Sequence, residues 1–196
     1  MRRRFANCSD SRTTIHRSSL PAPIPESIPA AGEEEEALLD MEWAAAVAPG
    51  ATIQVVIAPN SDTQSAMDYI VNRLPATRVI SVSFGYGESD LPASQASQYM
   101  QYLDSYFMQA AAQRQTFLVS SGDEGARDVP DVAAVADPGG PGALIVMNGT
   151  ISKQTYGGTS LSAPIWAGLF ALVNQFGSPG GVGWTNPRPL PVCFMM

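Results

Sequence analysis

Apolar positions recur along this chain in two alternating rhythms, and the alternation predicts its architecture. Short apolar runs of the strand type fall at residues 52–58, 78–83 and 116–121. Between them the spacing widens to the helical period: 62–73 puts Ala66, Ile70 and Val71 on one face, and 92–113 carries Tyr99, Leu103, Tyr106, Phe107 and Ala110. A further helix is expected over 33–48, opening on glutamates and ended by Pro49-Gly50. This β-α-β-α-β order predicts an α/β fold, a parallel sheet with right-handed crossovers and helices on both faces. Residues 143–149 read as one arm of a hairpin returning through Lys153 to Tyr156. Residues 165–173 form an apolar run of buried-helix type.

The two ends break the pattern. Residues 1–31 are rich in Arg, Ser and Pro and read as a disordered leader. After Gly177, seven of the next fifteen residues are glycine or proline, which predicts an irregular tail over 177–196. The body between them, 32–176, is long and apolar enough to bury one core. No internal repeat is present, and Gly85 and Gly87 lack the third glycine, opening a helix, that a dinucleotide fingerprint needs.

Charge changes the picture only once the leader is set aside. The chain of 196 residues has a formal charge of −7, but five of its eleven basic residues are Arg2, Arg3, Arg4, Arg12 and Arg17. Residues 21–196 hold six basic and seventeen acidic residues, a net of −11. An acidic body argues against nucleic acid or an anionic membrane as partner. It suits work at low pH, where carboxylates are neutral and self-repulsion falls, although an acidic surface is also common in its own right. No run of eighteen apolar residues spans a membrane, and Met1-Arg2-Arg3-Arg4 is followed by polar residues instead of the apolar core of a signal peptide. Cys8 and Cys193 lie at opposite ends, show no zinc spacing and allow no deduced pairing.

Candidate chemistry centres on Ser160, in the stretch from Gly157 to Pro164. Two glycines supply a tight turn and place a hydroxyl on the first turn of a buried helix, whose positive end favours an oxyanion. Pro164 suits an early helical position. A serine nucleophile needs a base, and the only histidine, His16, lies in the leader, so a Ser-His-Asp triad is not expected. Glu36 and Asp40, four apart on a helix, put two carboxylates on one face. Like charges that close push their pKa values apart, and Asp40 could share a proton with Glu36 as it acts as base. The same spacing also fits a solvated acidic helix start. Asp123, in the turn after 116–121, stands at a strand end where ligands bind in open parallel sheets. A protonated aspartate there could donate to an oxyanion, and an ordinary turn residue is the alternative.

At these residues the chain resembles the sedolisins, or serine-carboxyl peptidases, in five stretches that occur in the family's order. They are 36–42 with 48–51, 79–85, 120–126, 129–138 and 157–164. The resemblance implies a subtilisin-like fold and a serine-type endopeptidase working at acidic pH. It implies Ser160 as nucleophile, Glu36 as general base, Asp40 as its orienting partner and Asp123 as oxyanion donor. Ser83, Phe84 and Gly85 would form the substrate-binding strand, and the partner would be a peptide or unfolded protein taken by a monomer. An extracellular or acidic-compartment location is expected on the same ground.

Three departures accompany the resemblance. Family members carry a long segment between the oxyanion-aspartate turn and the 129–138 stretch, whereas here Ala126 is followed at once by Arg127. The family's calcium site depends on downstream aspartates, and this chain has no Asp or Glu after Asp137, so no metal is expected. The family's first strand has no clear counterpart in 1–31. The fold is therefore expected to be incomplete relative to the family, and a catalytically inactive remnant is the alternative function. A nucleotide-binding domain, suggested by the strand-helix rhythm alone, is the remaining rival.

Overall fold

The computed structural model describes residues 13–17, 32–58, 62–84, 91–123, 130–176 and 192–195, with the backbone alone for the first and last of these. Its elements run β1 (Thr13–Arg17), α1 (Glu33–Val47), β2 (Ile53–Ile57), α2 (Thr63–Arg73), β3 (Val79–Val82), α3 (Ala93–Ala112) and β4 (Thr116–Val119). There follow the short strands β5 (Val146–Met147) and β6 (Thr150–Ile151), then α4 (Thr159–Phe176) and β7 (Val192–Met195). Five strands form one parallel sheet in the order β1-β2-β7-β3-β4, and β5 pairs antiparallel with β6.

Both ends of the chain enter this sheet, against the expectation of a disordered leader and an irregular tail. Thr13–Arg17 pairs with the full length of β2, and Val192–Met195 lies between β2 and β3. Strands this short have little local signal. Their order comes from the backbone groups of β2 and β3, which need partners once buried. The junction at 126/127 and Gly85, the last residue of the expected substrate-binding strand, lie outside the described residues.

Side-chain alternation along the strands divides the core into two layers. Val55 and Val79 face α1 and α4, packing with Ala44, Ala48, Ala167 and Ala171. Their neighbours Val56 and Ile80 face the opposite side, against Ala66, Met67 and Ile70 of α2 with Leu103 and Tyr106 of α3. Period-two alternation thus gives each strand two apolar faces and explains why helices cover both. Asp62 caps α2, accepting from the amides of Gln64 at 3.1 Å and Ser65 at 3.2 Å. Three hydrogen bonds then zip α2 to α3: Tyr102 Oη to Gln64 O, Tyr106 Oη to Asp68 Oδ1 and Gln109 Nε2 to Asn72 Oδ1, each 2.8–2.9 Å.

Two helices on one face meet at unusually short range. A Cβ added at Gly168 of α4 would stand 2.7 Å from Val47 Cβ and 3.1 Å from Ala44 O, both on α1. Only a hydrogen fits there, so glycine sets the α1–α4 distance. Gly168→Ala gains helix propensity of about 1 kcal/mol but must push the helices apart, an overpacking cost of about 1–3 kcal/mol. Overpacking should win: the urea midpoint is expected to fall, and an unchanged or higher midpoint would show that α1 yields freely.

Candidate active site

The close α1–α4 contact brings the start of α4 beside the first two turns of α1, at the carboxyl ends of β3 and β4. Such strand ends are where open parallel sheets bind ligands. Two glycines lead the chain in. A Cβ on Gly157 would lie 2.5 Å from Ala136 O, and one on Gly158, at φ +90°, would lie 2.5 Å from Asp123 Oδ2. Gly158 also donates its N–H to Ala136 O at 2.6 Å. The glycine pair thus lets 157–158 press against both 136–138 and the Asp123 carboxylate. Helix α4 begins at Thr159, so Pro164 stands within it and not on its first turn. The Pro164 ring carries no N–H for the carbonyl of Ser160, four residues earlier.

The Ser160 hydroxyl stands beside the Glu36 carboxyl. Glu36 is half-buried, and burial raises its pKa, with the neighbouring Ser160 hydroxyl opposing and the Asp123 charge adding to the rise. Its Oε1 is buried without a hydrogen-bond partner. One turn further, Asp40 has no exposed surface. Its Oδ1 accepts from Ser83 Oγ at 2.7 Å, and its Oδ2 is buried and unpartnered. Burial raises the Asp40 pKa well above the ordinary range, the Ser83 bond works against the rise, and the Glu36 charge adds to it. A solvated acidic helix start does not describe Asp40.

The remaining candidates fall around this pair. Asp123 follows β4 and is exposed, and its Oδ1 accepts from Thr159 N at 2.6 Å and Thr159 Oγ1 at 3.0 Å. It therefore sits on the positive end of α4, next to Ser160. Ser83 and Phe84 follow β3 and are half-buried, and the Ser83 hydroxyl is committed to Asp40. Sequence reasoning does not single out Thr159, although its place between Gly158 and a helix start offers an amide and a hydroxyl to one anion. It likewise gives no hint that Ser83 turns inward to the acid pair.

The chain is similar to two curated peptidases. It is 34% identical over 120 residues to Sedolisin of Pseudomonas sp. (strain 101), covering 57% of this chain and 20% of that protein. It is 27% identical over 241 residues to Kumamolisin of Bacillus sp. (strain MN-32), covering 80% of this chain and 42% of that protein. The chain thus spans a fifth to two fifths of the length of these relatives. These matches support a relationship with the sedolisin family and hence with serine-carboxyl peptidases. No protein-family model matches the chain, and no solved structure matches it. No acid follows Asp137, and no cluster of three His, Cys, Asp or Glu exists among the described residues.

The buried acids fix how stability responds to pH. Native Asp40 holds its proton to higher pH than the unfolded chain, whose aspartates titrate near about 3.9. The native state then binds more protons, so this contribution is full below about pH 4 and is lost as pH rises through the native value. Glu36 and Glu42 are raised by burial and act with the same sign. Asp62 is lowered by its capping bonds and acts oppositely, but its window lies below about pH 4. The melting temperature should fall as pH rises above about 4. Asp40→Asn should flatten that fall, and parallel profiles for the two proteins would refute the assignment.

Proposed function

We propose that this chain is a serine-type endopeptidase that hydrolyses peptide bonds at acidic pH through an acyl-enzyme on Ser160. The observation that carries the reading is the pairing of Ser160 with Glu36, which sets a hydroxyl beside a partly desolvated carboxylate across two packed helices. Glu36 takes the hydroxyl proton as Ser160 Oγ attacks the substrate carbonyl carbon. The oxyanion forms at the start of α4, whose first amides have no intrahelical acceptor. Asp123, anchored through Oδ1 on the Thr159 amide and hydroxyl, borders the same oxygen as its further donor. Glu36 then delivers its proton to the departing amine, leaving an ester on Ser160. Water hydrolyses that ester with Glu36 again as base. Asp40, one turn away and anchored on Ser83, shares its proton with Glu36 and keeps the base oriented.

Substrate lies extended along 83–85 and adds its backbone as a strand. The Ser83 side chain is turned to Asp40, so the main chain there is what remains for the peptide. The partner is a peptide or unfolded protein. An extracellular or acidic location fits the same pH range. A second reading, a catalytically inactive remnant, is favoured by one fact: the Kumamolisin alignment of 241 residues is longer than the 196-residue chain, so it opens gaps in this sequence. An intact site should still be labelled at Ser160 by a peptide aldehyde, and a remnant should not.

The pH profile follows from the two acids. Glu36 must be ionised to act as base, so activity rises as pH passes its elevated value. Asp40 must keep its proton, so activity falls again as that proton is lost. Digestion of an unstructured protein substrate from about pH 3 to pH 8 should therefore peak in the acid range, above the ordinary glutamate value of about 4.3. Ser160→Ala should lower kcat by roughly 10⁴-fold or more. Hydrolysis that survives this substitution would sink the assignment.

A further inference from the structure

Nucleophile and base stand on different elements, and a second clamp besides the α1–α4 contact links them. Six residues after Glu36, the half-buried Glu42 of α1 accepts the N–H of Val146 through Oε2 at 2.8 Å. Trp43, the next residue, donates Nε1–H to Leu144 O at 3.2 Å. Consecutive α1 side chains thus hold the chain on either side of Ile145, which is fully buried with Leu38, Leu39 and Leu161.

The gripped segment leads to Ser160 with little slack. Ala143 and Tyr156 exchange two backbone hydrogen bonds of 2.8 and 2.7 Å, and Ser152 N–H bonds to Ile145 O at 2.8 Å. Only 157–159 separate Tyr156 from Ser160. Gly157 is pressed on Ala136, Gly158 donates to Ala136 O, and Thr159 donates to Asp123. A shift of the hairpin at Val146 therefore reaches Ser160, while Glu36 stays with α1.

We propose that Glu42 is a positioning residue: by holding Val146 it fixes the β5–β6 hairpin on α1 and so sets the Ser160 hydroxyl at Glu36. The proposal rests on the reading of Ser160 and Glu36 as nucleophile and base. Stability alone gives a weaker reason for this bond. Val146 is 38% exposed and Leu144 is 50% exposed, so water can replace either partner. The carboxylate, in contrast, gives up hydration to be there, as burial raises its pKa. A displacement of 1 Å from reactive geometry costs about 100-fold in rate, so a bond of modest strength can still govern turnover.

Two variants of the full chain test it, each assayed at the acidic optimum. Glu42→Ala should lower kcat about 10- to 100-fold with KM within about 2-fold. Glu42→Gln, whose amide oxygen accepts the same bond, should restore kcat to within about 3-fold of the parent. A purely structural role would lower melting temperature without this kcat-specific loss and rescue. Hydrogen–deuterium exchange, measured in a Ser160→Ala background, supplies a readout independent of catalysis. Glu42→Ala should speed exchange at Val146 and across 157–162. Faster exchange confined to 146–147, an unchanged kcat in the alanine variant, or equal impairment in the glutamine variant would each overturn the proposal. If the parent shows no Ser160-dependent hydrolysis, the functional reading fails, and the exchange result alone decides whether Glu42 positions 157–162.

Discussion

The site depends first on how closely α1 approaches α4. Gly168 leaves no side chain between the helices, and Val47 and Ala44 fill the space. Alanines continue the seam, since Ala44, Ala48, Ala167 and Ala171 are all buried in one cluster. Small residues at a helix crossing let backbones approach and fix the distance by contact instead of by flexible side chains. That distance is what lets a carboxyl on one helix reach a hydroxyl on the other. The sheet below acts chiefly as a platform, its β3 and β4 ends carrying Ser83 and Asp123 up to the same place.

A second constraint is the cost of placing acids in that seam. Asp40 is enclosed with one oxygen bonded to Ser83 and the other unpartnered, and Glu36 also keeps an unpartnered oxygen. A buried, unsatisfied polar atom costs about 1–3 kcal/mol, so the pair is a poor choice for stability alone. Two apolar residues of similar size would fold as well or better. Burial holds Asp40 protonated far into the pH range where ordinary carboxylates are charged. Strain of this kind at a cluster of titratable groups on a strand-end platform is a common mark of a working site.

The sequence made most of the body legible because its periods are strong there. The helices over 33–47, 63–73 and 93–112, the strands 53–57, 79–82 and 116–119, and the hairpin closed by Ala143 and Tyr156 all follow from apolar spacing and turn residues. Asp62, a capping residue just before an apolar-periodic segment, marks the start of α2 without ambiguity. The edge strand β1 and the central strand β7 were not legible. Thr13–Arg17 alternates weakly within an Arg-rich stretch, and Val192–Met195 is four residues beyond a run of prolines and glycines. Parallel pairing is decided by neighbours far away in sequence, so local composition points the wrong way at both ends. Pro164 misleads differently: proline tolerates the first helical turn, yet α4 starts early enough to enclose it.

The site was legible only as a set of residue types. Spacing put Glu36 and Asp40 on one face, but it could not distinguish a wet helix start from a dry one. Burial separates the two, and burial belongs to the fold: Asp40 is dry because Ser83 arrives from β3 and because 143–161 covers the start of α1. Asp123 shows the same limit from the other side. As a turn residue or an oxyanion donor it would look identical in sequence, and the structure adds a third relation, an anchor on the Thr159 amide and hydroxyl. That anchor leaves one oxygen bound to Thr159 and the other facing Gly158, so one carboxyl fixes both the turn and the start of α4.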